Sequence, residues 1–269
     1  MKKSLALFVI FFLLFPVTQA HSRGRTMIQR GGLGFLFPDH NSFSNPGQFA
    51  ISHGAAFESI YSTDEQGDVQ NLAPSFVMGK GRWGLGAFAS RTGKVDDPAR
   101  SLDSVGGALG ISFLKERLTL GASYTRSIDV GQTSDGTASI TTTLNGPKRM
   151  GPSVGIGLSS SVNRAERDIR SATLGFGYSF KTNINLELNY TAVDLDNTAN
   201  YVGAFYLNWG AKWMYVGVGD RYYNSLKVHE ASGRLGFILG HYIDLSVFGN
   251  YKLETDGETS YGASLRASF

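Results

Sequence analysis

The stretch Ile184-Asn185-Leu186-Glu187-Leu188-Asn189-Tyr190-Thr191-Ala192 decides the fold. Ile184, Leu186, Leu188, Tyr190 and Ala192 alternate with Asn185, Glu187, Asn189 and Thr191. A strand has a side-chain period of two, so this segment carries one apolar and one polar face. The pattern recurs over Ser171–Phe180, where Ala172, Leu174, Phe176, Tyr178 and Phe180 share a face. It recurs over Ile243–Leu253, and again at the end, where Tyr261, Ala263, Leu265, Ala267 and Phe269 alternate with Ser260, Gly262, Ser264, Arg266 and Ser268.

Alternation suits a secreted sandwich with its apolar faces meeting inside. It equally suits an outer-membrane barrel with those faces turned to lipid. Three features favour the barrel. The polar faces are built as much from small residues as from charge, as in Gly106, Ala108, Gly110, Ser112 and in Ser153, Gly155, Gly157, Ser159. A narrow lumen needs small side chains, whereas a solvent face carries more Lys and Glu. Aromatics fall at strand ends, at Tyr61, Trp83, Phe113, Phe180, Tyr201, Trp209, Tyr242 and Tyr251, where interfacial girdles form. The chain also ends on an aromatic within a strand, and Tyr261, Leu265 and Phe269 form the expected C-terminal assembly signal for barrel-assembly machinery.

Composition agrees. Of 269 residues 34 are Gly, aromatics reach 12% and charged residues stop at 17%, unlike a disordered or helical chain. With 25 Lys+Arg against 22 Asp+Glu, no polycation is available for nucleic acid. The absence of cysteine excludes thiol catalysis, disulfides and cysteine-type metal sites. No cofactor is expected. The five histidines, His21, His40, His53, His229 and His241, show no triad spacing, and His229 and its neighbour Glu230 point to opposite faces of a strand. The reading is therefore not an enzyme.

Residues 1–20 read as a signal peptide: Lys2 and Lys3, the apolar run Leu5–Phe15, Pro16, then Thr18-Gln19-Ala20 before His21. The run is too short for a membrane-spanning helix. Short turns at Lys80-Gly81, Lys115–Arg117, Gly146–Arg149, Thr182-Asn183, Gly210-Ala211 and Gly240-His241 alternate with longer polar connections. The longer ones are Thr63–Gly67, Gly93–Ser101, Gly131–Gly136, Val162–Ile169, Leu195–Asn197, Arg221–Val228 and Glu254–Thr259. Together they predict a barrel of about fourteen antiparallel strands over 48–269, the first opening at Gln48, with twelve as the alternative. The weakest strand is Thr137–Asn145, mostly Thr, which parity requires. Residues 21–47, with the apolar Leu33–Phe37, are expected to enter the lumen as a plug, with a flexible periplasmic extension as the alternative.

A signal peptide, an N-terminal plug, fourteen strands and a terminal Phe resemble the FadL/TodX family of outer-membrane transporters for hydrophobic molecules. In that family an Asn-Pro-Ala motif precedes the first strand, and Asn45-Pro46-Gly47 stands at the matching place, Gly47 replacing Ala. The resemblance implies a Gram-negative outer membrane. Its lipids and a fatty-acid-like substrate would be the partners, and the substrate would leave sideways through the wall. In the family the opening comes from a kink in the third strand. Pro74 lacks a ladder N–H, and Gly84 and Gly86 soften the next strand, so these three are the lateral-gate candidates. A diffusion porin, or a structural barrel without transport, is the alternative.

Glu58, Glu187, Glu230, Arg234, Asp244, Lys252 and Arg266 all fall on the polar face. They are expected either to pair across the lumen and hold the plug, because unpaired charges there are costly, or to grip a substrate carboxylate through Arg234, Lys252 or Arg266.

Overall fold

A computed structural model describes residues 45–51, 53–67, 69–94, 102–129, 135–146, 151–162, 168–180, 184–196, 200–211, 213–240, 242–253 and 259–269. The expected signal peptide and residues 21–44 of the expected plug lie outside them.

Fourteen antiparallel strands form one closed barrel. They are β1 (His53–Asp64), β2 (Val69–Lys80), β3 (Trp83–Lys94), β4 (Leu102–Phe113), β5 (Leu118–Asp129), β6 (Asp135–Leu144) and β7 (Gly151–Val162). Then come β8 (Asp168–Ser179), β9 (Ile184–Ala192), β10 (Tyr201–Gly210), β11 (Met214–Tyr223), β12 (Val228–Leu239), β13 (Ile243–Lys252) and β14 (Thr259–Ser268). Each strand pairs with its neighbours in sequence, and β1 closes on β14 from Ala56↔Ser268 to Asp64↔Ser260. Closure leaves no sheet edge, so the ladder uses the backbone donors that an apolar surround cannot satisfy. The Thr-rich segment is a full strand, β6, paired on both sides.

The alternation sets the faces. Leu174, Phe176, Leu188 and Tyr190 project from the outer surface and are exposed, while Glu187 is buried inside. The girdle aromatics Tyr61, Trp83, Phe113, Phe180, Trp209, Tyr242 and Tyr251 are likewise on the outside. So are Tyr261, Leu265 and Phe269. Phe269 adds a last pair to the seam, its N–H donating to Ala55 O at 2.8 Å and its carbonyl accepting from Ala55 N–H at 3.2 Å.

The described short turns, between β2 and β3 and between β4 and β5, lie at one end of the barrel. In the β4–β5 turn Leu114, Lys115 and Glu116 stand in succession at φ 51°, 55° and 70°, a left-handed run without glycine. Asn145 holds it, donating from its backbone to Arg117 O at 2.6 Å and from Nδ2 to Glu116 O at 3.2 Å.

Several boundaries differ from the sequence reading by a few residues, and two of them bear on the lumen. The first strand opens at His53, not Gln48, because Gly47–Ala50 forms a single helical turn, α1. Phe49 and Ala50 are both buried, which a strand cannot do with adjacent residues on opposite faces. The connection read as Arg221–Val228 is shorter, since β11 continues through Tyr223. Arg221 keeps the inward alternation of Tyr215, Gly217 and Gly219 and is buried.

Candidate functional site

The inner wall changes character around the barrel. Along β2–β6 it seats the segment Asn45–Ile51. Gly84, Gly110 and Gly121 are register partners on three adjacent strands, and Gly79 extends the row onto β2. They form a bare backbone shelf near the short-turn end. A Cβ on Gly84 would collide with the Phe49 backbone, one on Gly110 with Pro46 O, and one on Gly121 with Gly47 N. Pro46, with φ −64°, suits the start of the helical turn. Asn45 Nδ2 donates to Thr143 Oγ1 at 3.0 Å, and Gln48 Nε2 to Asn145 Oδ1 at 3.4 Å. Phe49 packs fully buried on Val77, Phe88 and Ala108. Gly47 itself has a physical reason: a methyl there would stand 3.0 Å from Thr119 Oγ1 and 3.2 Å from the Leu120 carbonyl carbon.

Of the three gate candidates, Gly84 and Gly86 lie in an intact ladder, opposite Gly79 and Val77. The interruption is elsewhere. β2 and β3 pair from Val69↔Lys94 to Leu72↔Arg91 and again from Ser75↔Phe88 to Gly79↔Gly84, in one register. Between these runs Ala73 and Pro74 make no pairs with Ser90 and Ala89, although Pro74 pairs with Ser59 on β1. Proline has no N–H to give this ladder. The gap lies on the long-loop side of the seated segment. Buried Ile60, Ala73 and Phe248 form an apolar cluster beside it, and Val77 and Phe88 continue apolar surface down to Phe49.

From β4 to β9 the wall is hydroxylic. Ser104 and Ser127 (3.2 Å), Ser123 and Ser139 (2.5 Å), Ser159 and Ser171 (2.6 Å), and Thr173 and Thr191 (3.0 Å) are cross-strand hydrogen-bonded pairs.

From β9 around to β1 it is ionic. Arg234 donates from Nε to Ser246 Oγ at 2.9 Å and from Nη2 to Ser264 Oγ at 3.0 Å. Its Nη2 is 3.8 Å from Glu58 Oε1, and its guanidinium lies over the Tyr215 ring at 5.5 Å. Tyr215 Oη donates to Asp244 Oδ1 at 2.9 Å. Arg266 stands opposite both Glu58 and Asp244 in register, and among the described residues its Nε and Asp244 Oδ2 lack hydrogen-bond partners. Arg221 Nη1 donates to Tyr223 Oη at 2.7 Å and lies 3.5 Å from Glu230 Oε2, to which Tyr223 Oη also donates at 2.7 Å. Lys252 faces Glu230 across β12–β13, and Glu187 accepts from Asn189 Nδ2 at 2.8 Å.

The seven charges singled out in the sequence thus share the inner wall, and Arg234 is held by neighbours on four strands. Sequence reasoning missed Arg221 and the inward aromatics Tyr206, Tyr215, Phe88 and Phe248. Each inward ring lies across glycine on the following strand: Phe88 over Gly106, Tyr206 over Gly217 and Gly219, Tyr215 over Gly236, and Phe248 over Gly262. A glycine on the inner face one strand after an inward aromatic is the signal that could have found them.

No family model matches the chain, and no curated protein matches it. Among solved structures it is similar to mutants of a porin from Rhodopseudomonas blastica, among them a triple mutant. The TM-score is 0.50 with 11% sequence identity, over 80% of this chain and 99% of that chain.

Proposed function

The barrel has a porin-like fold, and we propose that it sits in an outer membrane and carries small apolar molecules, entering from the long-loop end and leaving sideways between β2 and β3. The observation that carries this reading is the ladder gap at Ala73–Pro74, bordered by Ile60, Phe248, Val77 and Phe88. Elsewhere the described inner wall is chiefly glycine, hydroxylic or ionic. An apolar solute gains binding energy only where it meets apolar surface. The seated Asn45–Ile51 lies beyond the gap for a molecule coming from the loops, so the side route precedes the obstruction. In this reading the ionic wall braces the barrel and Arg234 is structural.

Ala73 and Ser90 face each other across the gap, and the chain has no other cysteine to interfere. Disulfide closure of Ala73→Cys/Ser90→Cys in proteoliposomes is expected to stop uptake of a labelled long-chain hydrocarbon probe, with recovery on reduction. Unchanged uptake would sink the lateral route. The second reading, a diffusion pore for hydrophilic solutes, is supported by the hydroxylic wall of β4–β9. It predicts steady conductance in planar bilayers that ignores the cross-link.

A further inference from the structure

Two neighbouring turns at the short-turn end gather four cations and one acid. Lys80 and Arg82 flank Gly81 between β2 and β3, and Lys115 and Arg117 flank Glu116 between β4 and β5. All four cations are exposed, whereas Glu116 is half-buried. Among the described residues none of the four has an ion-pair partner. The turns are stitched together, because Ser112 donates its N–H to Arg82 O at 2.8 Å and its hydroxyl to Gly81 O at 2.6 Å. Like charges fixed side by side repel, and an anion among them relieves this.

The outer wall next to these turns is apolar. Trp83 and Ile111 are exposed register partners, and Phe113 follows on β4. Lys80 Nζ stands over the Trp83 ring at 5.7 Å, a cation at the level where indoles mark a membrane interface. The left-handed run from Leu114 to Glu116 leaves Leu114 70% exposed between Phe113 and Lys115. Apolar side chains directly beside bare cations suit the boundary between acyl chains and headgroups. The long-loop end has no such separation of sign, since Asp64, Glu65 and Asp196 share it with Arg91, Arg126 and Lys227.

We propose that this corner seats one anionic phospholipid, a phosphatidylglycerol. Its phosphate lies among Arg82, Lys115 and Arg117, the two guanidinium groups offering paired donors to its oxygens. Its acyl chains run along the wall over Ile111 and Phe113. An ethanolamine headgroup would bring a further ammonium among four unpaired cations and is disfavoured. Outer-membrane barrels keep their short turns on the periplasmic side, where the leaflet is made of phospholipid. The inference needs the outer surface to face a bilayer but not the lateral route, so the lipid and uptake experiments fail independently.

Quenching of Trp83 fluorescence by brominated lipids tests it. With Trp209→Phe and Trp213→Phe, Trp83 is the one tryptophan left. In vesicles of phosphatidylethanolamine and phosphatidylglycerol, with one or the other brominated, the site should prefer the glycerol lipid about tenfold at low salt, as two engaged cations would give. In about 0.5 M salt the preference should fall within about twofold. Replacing Lys80, Arg82, Lys115 and Arg117 together by Gln should do the same at low salt, while Arg126→Gln at the other end should change nothing. Equal quenching by the two lipids with the four cations intact would overturn the site. So would a preference that survives their replacement, or one that Arg126→Gln removes. If the tryptophan variant fails to fold, native mass spectrometry of the unaltered barrel with the same two lipids, and of its four-Gln variant, makes the same comparison.

Discussion

The two halves of the lumen use the same residue for different ends. On β3–β5, Gly84, Gly110 and Gly121 make room for main chain, the turn at Pro46–Phe49. On β11–β14, Gly217, Gly219, Gly236 and Gly262 make room for rings, Tyr206, Tyr215 and Phe248. The first half is filled by a segment outside the barrel's own hydrogen-bond ladder; the second is filled by its own side chains and locked by ion pairs. The seat can therefore in principle be vacated while the ladder stays closed, but the ionic half cannot be emptied without unmaking the wall.

The hardest blow to that contrast is Arg234→Ala. It leaves Glu58 and Asp244 buried without their central cation and should cost about 3–5 kcal/mol, read from urea titration of the protein folded in vesicles. A loss below about 1 kcal/mol, the size of a surface pair, would mean the ionic half is not a lock. Phe49→Ala should cost about 3 kcal/mol from lost burial against Val77, Phe88 and Ala108. The strand signature in circular dichroism should survive while Gln48 becomes open to protease. If the barrel unfolds as a whole, the seat is no separable part. Gly121→Ala drives a methyl into Gly47 and should cost about 1–3 kcal/mol. Gly157→Ala, whose nearest neighbours stand at 3.6 and 3.8 Å, should be almost silent by the same titration. Equal effects would show that the shelf is ordinary small-residue packing. The smallest change is Ser123→Ala, which removes one hydroxyl pair with Ser139 and should cost about 1 kcal/mol.

Much of the architecture was legible because period two leaves so clear a mark. Ile184–Ala192 assigns every residue to its observed face, and parity recovered the Thr-rich β6. The polar faces also brought the seven inward charges together. What escaped had physical causes. Gln48–Ala50 was read into the first strand because backbone packing against glycine leaves no side-chain pattern. Arg221 was given to a loop because Arg221, Tyr222 and Tyr223 together look like a polar rim, although only Tyr222 faces outward. Tyr206 and Tyr215 were overlooked because aromatics in a barrel are expected outside; each turns inward only because a neighbouring strand supplies glycine. The ladder gap was placed near the right proline but with the wrong glycines, since a proline's effect is felt by its partner strand, not by the softest residues nearby.

The pairing of β1 with β14 has a consequence for how the molecule forms. Every other strand pair joins chain neighbours and can zip as a hairpin. This one alone brings together residues from opposite ends, Ala56 with Ser268, and bears nearly all the loop-closure entropy of the barrel. Formation should be a series of quick local steps followed by one slow meeting of the two extremities. Substitutions at Ser59 or Leu265 would then slow folding, while comparable changes inside a hairpin would chiefly hasten unfolding.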